Sequence, residues 1–226
     1  MDSKVLLALG SVLFGWLLGQ GATIAKGWWS SRKLRTGLLT ELEDIQNQLQ
    51  RVELIHVRQL QIFAHKGMEP TASLPIQNLF FKHYYKDVFP YLSREQRISY
   101  QLIHASLDNL NQNNVELAKF FTEANKNLKL LPDEKKALTT INLWGERVTA
   151  LYRSTKDVQW HIAYHLQHAK APTFDLMGPM HESYVKFQEQ VAEDVKSIIE
   201  KAQTLKKEDF TSIYDPTAFS KNRNSG

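Results

Sequence analysis

The sequence predicts an all-α protein, with an N-terminal single transmembrane helix followed by an antiparallel bundle of four long helices plus a short accessory helix. Three observations lead there. Residues 5–25 carry no charged side chain. Beyond them, apolar residues recur at helical spacing over long stretches divided by Pro- and Gly-bearing loops. Glycine and proline are few, 10 and 7 in 226 residues, which argues against the many turns of a β-sandwich or barrel.

The first run, VLLALGSVLFGWLLGQGATIA, spans roughly 32 Å as a helix, against a hydrocarbon core of about 30 Å. Lys4 and Lys26 bracket it, and Trp28 and Trp29 follow at the depth where one ring edge is wet and the other apolar. Arg32, Lys33 and Arg35 join Lys26 before the first following acid, Glu41, so the positive-inside rule puts the C-terminal part in the cytoplasm. The rival expectation is a signal peptide cleaved near Thr23-Ile24-Ala25, leaving a periplasmic or secreted protein. Within the run, Ser11, Gly15, Gly19 and Thr23 recur every four residues, and Gly15 to Gly19 is a GxxxG. Small residues in that register let a second backbone approach closely, so these four are the candidate membrane-helix packing residues.

The next helix is expected from near Lys33, with the option of running on directly from the membrane segment. Leu38, Leu42, Ile45, Leu49 and Val52 form a heptad seam on it. That period serves equally as an intermolecular coiled coil or as the domain's own core. Residues 66–75 read as a loop. Residues 76–89 read as a short aromatic helix with Phe81, Tyr85 and Val88 on one side, stopped at Pro90. Ser93 and Gln96 form a capping box that opens a long helix toward Asn125, with Ile98, Leu102, Ala105, Leu110, Leu117 and Phe121 as its apolar residues. A further helix follows Pro132, with Asp133 as N-cap, and carries Ile141, Val148, Thr155, Val158 and Ile162. The last, about residues 180–206, carries Tyr184, Val191, Val195, Ile198, Ala202 and Leu205. The division is a short N-terminal segment (1–4), transmembrane helix (5–25), basic and aromatic juxtamembrane segment (26–35), helical-bundle domain (36–209) and polar flexible tail (210–226).

The absence of cysteine excludes zinc ribbons, disulfide scaffolds, thiol nucleophiles and Fe–S clusters. Nucleotide P-loop, Rossmann, nucleophile-elbow and EF-hand patterns are missing too. One cluster has metal-ligand spacing: His161, His165 and His168, at i, i+4 and i+7, share a helical face and could hold zinc. No HExxH accompanies them, and the bland alternative is a polar, partly exposed face near a helix C-terminus. Glu53 and His56 form a single ExxH; di-iron bundles need two, so these are expected at the surface or an interface. Tyr84, Tyr85, Tyr91, Tyr100, His83 and His104 could line a pocket, but aromatics at helical spacing are more often core.

Twenty-eight Lys and Arg against 24 Asp and Glu give +4, too small an excess for a nucleic-acid stripe. Lys26, Arg32, Lys33 and Arg35, with Trp28 and Trp29, are expected to anchor at the headgroups of membrane lipid. The expected function is a single-pass membrane-anchored bundle acting by self-association, as a homo-oligomer, and by presenting the bundle to a cytoplasmic protein partner. No catalysis and no cofactor are evident. The alternatives are a sensory or ligand-binding membrane bundle and, less favoured, a metal-dependent hydrolase built on the 161–168 histidine face.

Overall fold

The computed structural model describes residues 3–70, 73–130, 134–175 and 177–205, with the side chains of 3–12, 22–25 and 128–130 outside the description. Among the described residues the chain is all-α and has no strand. Its elements are α1 (Ser3–Ala64), α2 (Leu79–Val88), a 3-10 turn (Phe89–Tyr91), α3 (Arg94–Leu130), α4 (Glu134–Gln167) and α5 (Pro179–Ala202). The four long helices and the accessory helix are therefore as the sequence predicts.

No proline falls between residues 3 and 64, and α1 runs through unbroken. Leu38, Leu42, Ile45 and Leu49 are fully buried and Val52 nearly so, against α4, α5 and α2 of the same chain. The seam is thus this bundle's own core. The capping box at α3 forms as expected: Gln96 N–H donates to Ser93 Oγ (3.2 Å), and Ser93 N–H donates to Gln96 Oε1 (2.9 Å). The expected cap Asp133 lies outside the described residues, as does the tail from 206 onward.

The helix directions correct the expected all-antiparallel arrangement. His56 on α1 meets Asn114 on α3, while Glu41 meets Phe81, whose ring stacks on His104. Both helices therefore rise together, from residue 41 to 56 and from 104 to 114. The connection that permits this runs back down beside α3, as Ile76 pairs with Asn111, Lys82 with Asp108, and Tyr85 with Arg97. Lys156 reaches Glu53 and His165 reaches Ser99, so α4 descends between α1 and α3. Gln188 donates to Asp157, and His65 donates to the Ala202 carbonyl (2.8 Å), so α5 rises again alongside α1. Three helices point one way and α4 the other, a bundle with one long crossover connection.

Two further expectations are corrected. On α3, Ile98, Leu102 and Ala105 face solvent, and the buried side is Gln96, Ser99, Tyr100, Ile103, His104, Leu107, Leu110, Asn114 and Leu117. Polar members of that stripe hide it from a hydrophobicity pattern. His56 is not a surface residue: it is completely buried.

Candidate functional site

The first candidate site is the part of α1 that leaves the bundle. Ser31 is the first buried residue among those described on α1. Before it, Leu13, Phe14, Trp16, Leu17 and Leu18 are all exposed, as are Trp28 and Trp29, the latter two at 61% and 62%. A helix from residue 3 to 30 extends about 40 Å. A Cβ added at Gly15 would meet nothing within 4 Å. The side chains of Ser11 and Thr23 lie outside the described residues. Among the described residues no helix is long and apolar enough to cross a membrane, so the expected transmembrane helix over residues 5–25 is not supported by the structure.

Just beyond this run the helix presents cations beside its tryptophans. The Arg32 guanidinium sits 5.7 Å from the Trp28 ring centre and the Lys33 ammonium 5.8 Å from that of Trp29. Lys26 and Arg35 are exposed or nearly so on the same stretch, and Leu34 turns inward against the core. Helical spacing explains the division: Ser31, Leu34 and Leu38 share the bundle side, leaving 28, 29, 32 and 33 on the other.

The second candidate is a polar seam inside the bundle. His56 bridges three helices, with Nδ1 3.1 Å from Thr155 Oγ1 and Nε2 3.0 Å from Asn114 Oδ1. Asn114 Nδ2 donates to the Leu110 carbonyl (3.1 Å), so its oxygen faces the ring and His56 Nε2–H is the donor. Thr155 Oγ1 also lies 2.9 Å from the Leu151 carbonyl; its single proton serves either that carbonyl or a neutral His56 Nδ1. Burial holds His56 down to about 4, partly offset by the Asn114 bond and the Glu53 charge. Glu53 itself is engaged by Lys156 (3.1 Å) and Gln159 (3.0 Å), so the ExxH pair is divided between the core and an ion pair.

The predicted metal trio is dispersed over different partners. His165 is fully buried, with Nδ1 2.7 Å from Ser99 Oγ and its ring against Tyr100. His161 is buried among Trp160, Phe174 and Tyr184. His168, one residue past α4, is exposed, stacks on Tyr164 and donates from Nδ1 to the Tyr164 carbonyl (3.0 Å). Among the described residues no group of three His, Asp or Glu could hold a metal ion. A shared helical face does not bring rings together when α3 engages His165, α5 packs on His161 and His168 turns back on its own helix. The face is also not the partly exposed one expected, since two of its three rings are interior.

His104, which the sequence associates with a tyrosine pocket, is core. It accepts from Asn78 Nδ2 at Nδ1 (3.2 Å) and stacks on Phe81. Burial, with Lys82 and His165 nearby, pushes it down to about 3, and burial alone pushes His161 and His165 down to about 4. Burial likewise drives the Tyr100 hydroxyl far above the ordinary tyrosine range. His104 Nε2, His165 Nε2 and His161 Nδ1 have no hydrogen-bond partner among the described residues. Tyr84 and Tyr91 face solvent, and His83 bonds back to the Leu79 carbonyl. Two clefts of about 530 and 520 Å³ flank α1, one against α4 and α5 and one against α2; neither contains a histidine.

These features define a class, an all-α bundle with a histidine-rich polar interior and an apolar helical extension. No protein-family model, curated protein or solved structure matches the chain.

Proposed function

We propose that the protein is a single-pass membrane-anchored helical bundle that works by self-association and by presenting its bundle to a cytoplasmic protein partner. The observation that carries this reading is the unbroken α1, whose uncharged run of residues 5–25 continues, without a joint, into the helix that forms the bundle's core. Exposing Leu13, Phe14, Trp16, Leu17 and Leu18 to water together would be unfavourable by about 25 cal/mol per Å² of apolar surface, and lipid removes that cost. Trp28, Trp29 and the cations 26, 32, 33 and 35 then lie at headgroup depth, and their bias orients the bundle to the cytoplasm. Self-association is assigned to Ser11, Gly15, Gly19 and Thr23, whose four-residue spacing lets two such helices approach.

Topology is tested with a C-terminal reporter pair, one active only in the cytoplasm and one only outside it, together with membrane fractionation. A cytoplasmic, membrane-bound, full-length product is expected; an external signal or a soluble product overturns the assignment. Replacing Gly15 and Gly19 by Leu is expected to reduce crosslinked oligomer in detergent several-fold. Unchanged crosslinking removes the helix-packing assignment.

A further inference from the structure

The same end of the bundle from which α1 emerges carries a second surface of cations and aromatic rings, contributed by the turns between the other helices. Glu41 marks a height on α1, because it binds α2 at Phe80 and Phe81, and Phe81 stacks on His104 of α3. Gln96 lies eight residues before His104, about 12 Å closer to the extension, and Arg35 lies about 9 Å closer on α1. Gln96 Nε2 donates to the Ala169 carbonyl (2.6 Å), which brings the α4–α5 turn to the same level. There the 3-10 turn exposes Phe89 and Tyr91, and the Arg97 guanidinium sits 4.5 Å from the Phe89 ring centre. Arg94 and Lys170 are exposed beside them. Lys86 and Asp87 cancel, and Glu95, Asp175 and Glu182 balance Arg94, Arg97 and Lys170, so the net positive charge of this end comes from Arg32, Lys33 and Arg35 on the adjoining helix.

We propose that this base, centred on Phe89, Tyr91, Arg94 and Arg97, docks on anionic phospholipid headgroups and seats the bundle against the membrane. The inference rests on the anchor reading above, and distance is its argument. The uncharged run ends at residue 25 and the bundle begins at Ser31, about 9 Å along one continuous helix. The polar layer on each side of a bilayer is itself about 5–7 Å thick. No flexible linker separates the two parts, so the base lies within reach of the headgroups, and anionic lipid then holds its cations and aromatic rings against the surface.

The chain has no cysteine, so a single introduced one gives a unique label. Full-length Asp87→Cys (at the base) and Lys126→Cys (at the far end of α3) carry an environment-sensitive dye. Each is reconstituted into vesicles of phosphatidylcholine alone or with phosphatidylserine in a two-to-one ratio, containing a shallow lipid-borne quencher. At position 87, quenching is expected to be at least twofold stronger in the anionic vesicles, with little quenching at position 126 in either. Arg94→Glu with Arg97→Gln is expected to lower the anionic value at 87 to the neutral one while the protein still sediments with the vesicles. Equal quenching at 87 in both vesicle types, or equal quenching at 87 and 126, overturns the docking while leaving the anchor standing. Failure of the wild-type chain to sediment with vesicles overturns the anchor and the docking together. The neutral-against-anionic comparison needs no charge variant, so it decides the matter even if that variant misfolds.

Discussion

At the scale of single residues, a close contact between α4 and α1 depends on a missing side chain. Gly145, buried in α4, faces Phe63 of α1, and a Cβ there would lie 2.3 Å from the ring. Alanine is otherwise the better helix former by about 1 kcal/mol, so the two effects oppose one another. Overpacking costs about 1–3 kcal/mol, and a stiff aromatic ring cannot bend aside as a flexible chain would. Gly145→Ala is therefore expected to destabilise the bundle by about 1 kcal/mol net, measured by denaturant unfolding of the full chain in detergent. Combining it with Phe63→Leu should recover most of the loss, and additive losses would show that the two residues do not press on each other.

At the scale of elements, α2 is held by a cap borrowed from another helix. Its own N-cap residue, Asn78, makes no capping bond because its amide is turned to His104. Glu41 of α1 instead accepts the N–H groups of Phe80 (2.6 Å) and Phe81 (2.9 Å). A carboxylate at a helix N-terminus suits the orphan donors and the helix dipole. Burial still outweighs those donors and raises the Glu41 carboxyl above its usual range, so its ionised form is held at some cost. Glu41→Ala removes both acceptors and should cost about 1.5–3 kcal/mol. The loss should appear as faster amide exchange confined to residues 79–88, and uniform exchange across all helices would contradict a local cap. The arrangement follows from a close approach at Gly37, where a Cβ would lie 2.2 Å from the Phe80 ring.

At the scale of the whole molecule, the interior is built around neutral imidazoles. His56, His161 and His165 are held down to about 4 and His104 to about 3, each chiefly by burial. An unfolded histidine titrates near 6.5, so between there and the folded values the unfolded chain binds more protons. Stability is therefore whole above about pH 6.5 and falls as the pH drops toward 4. At pH 5 each such histidine costs about 2 kcal/mol, and four together rival the 5–15 kcal/mol that holds a typical domain. The thermal midpoint should be flat from pH 8 to 7 and decline steeply below 6.5, followed by circular dichroism. A midpoint unchanged down to pH 5 would mean that these rings are not buried and neutral.

The all-α class, the five helices, the 38–52 seam and the Ser93–Gln96 box could all be read from the sequence, because each is encoded by residues within a turn or two of one another. So could the uncharged run of α1 and its flanking Trp and basic residues. Periodicity identifies a face without saying what covers it, and only the tertiary structure shows the seam buried in its own chain. The direction of α3 depends on the chain turning back through residues 76–85, which no local pattern encodes. The polar interior was the least legible part. His56 looks like a surface residue in sequence because its partners Asn114 and Thr155 lie 58 and 99 positions away. A buried polar group is tolerated only when such partners arrive, and folding alone brings them. The histidine spacing on α4 was equally visible, but whether three rings converge depends on what each one meets, and here α3 engages His165, α5 packs on His161 and His168 turns back on its own helix.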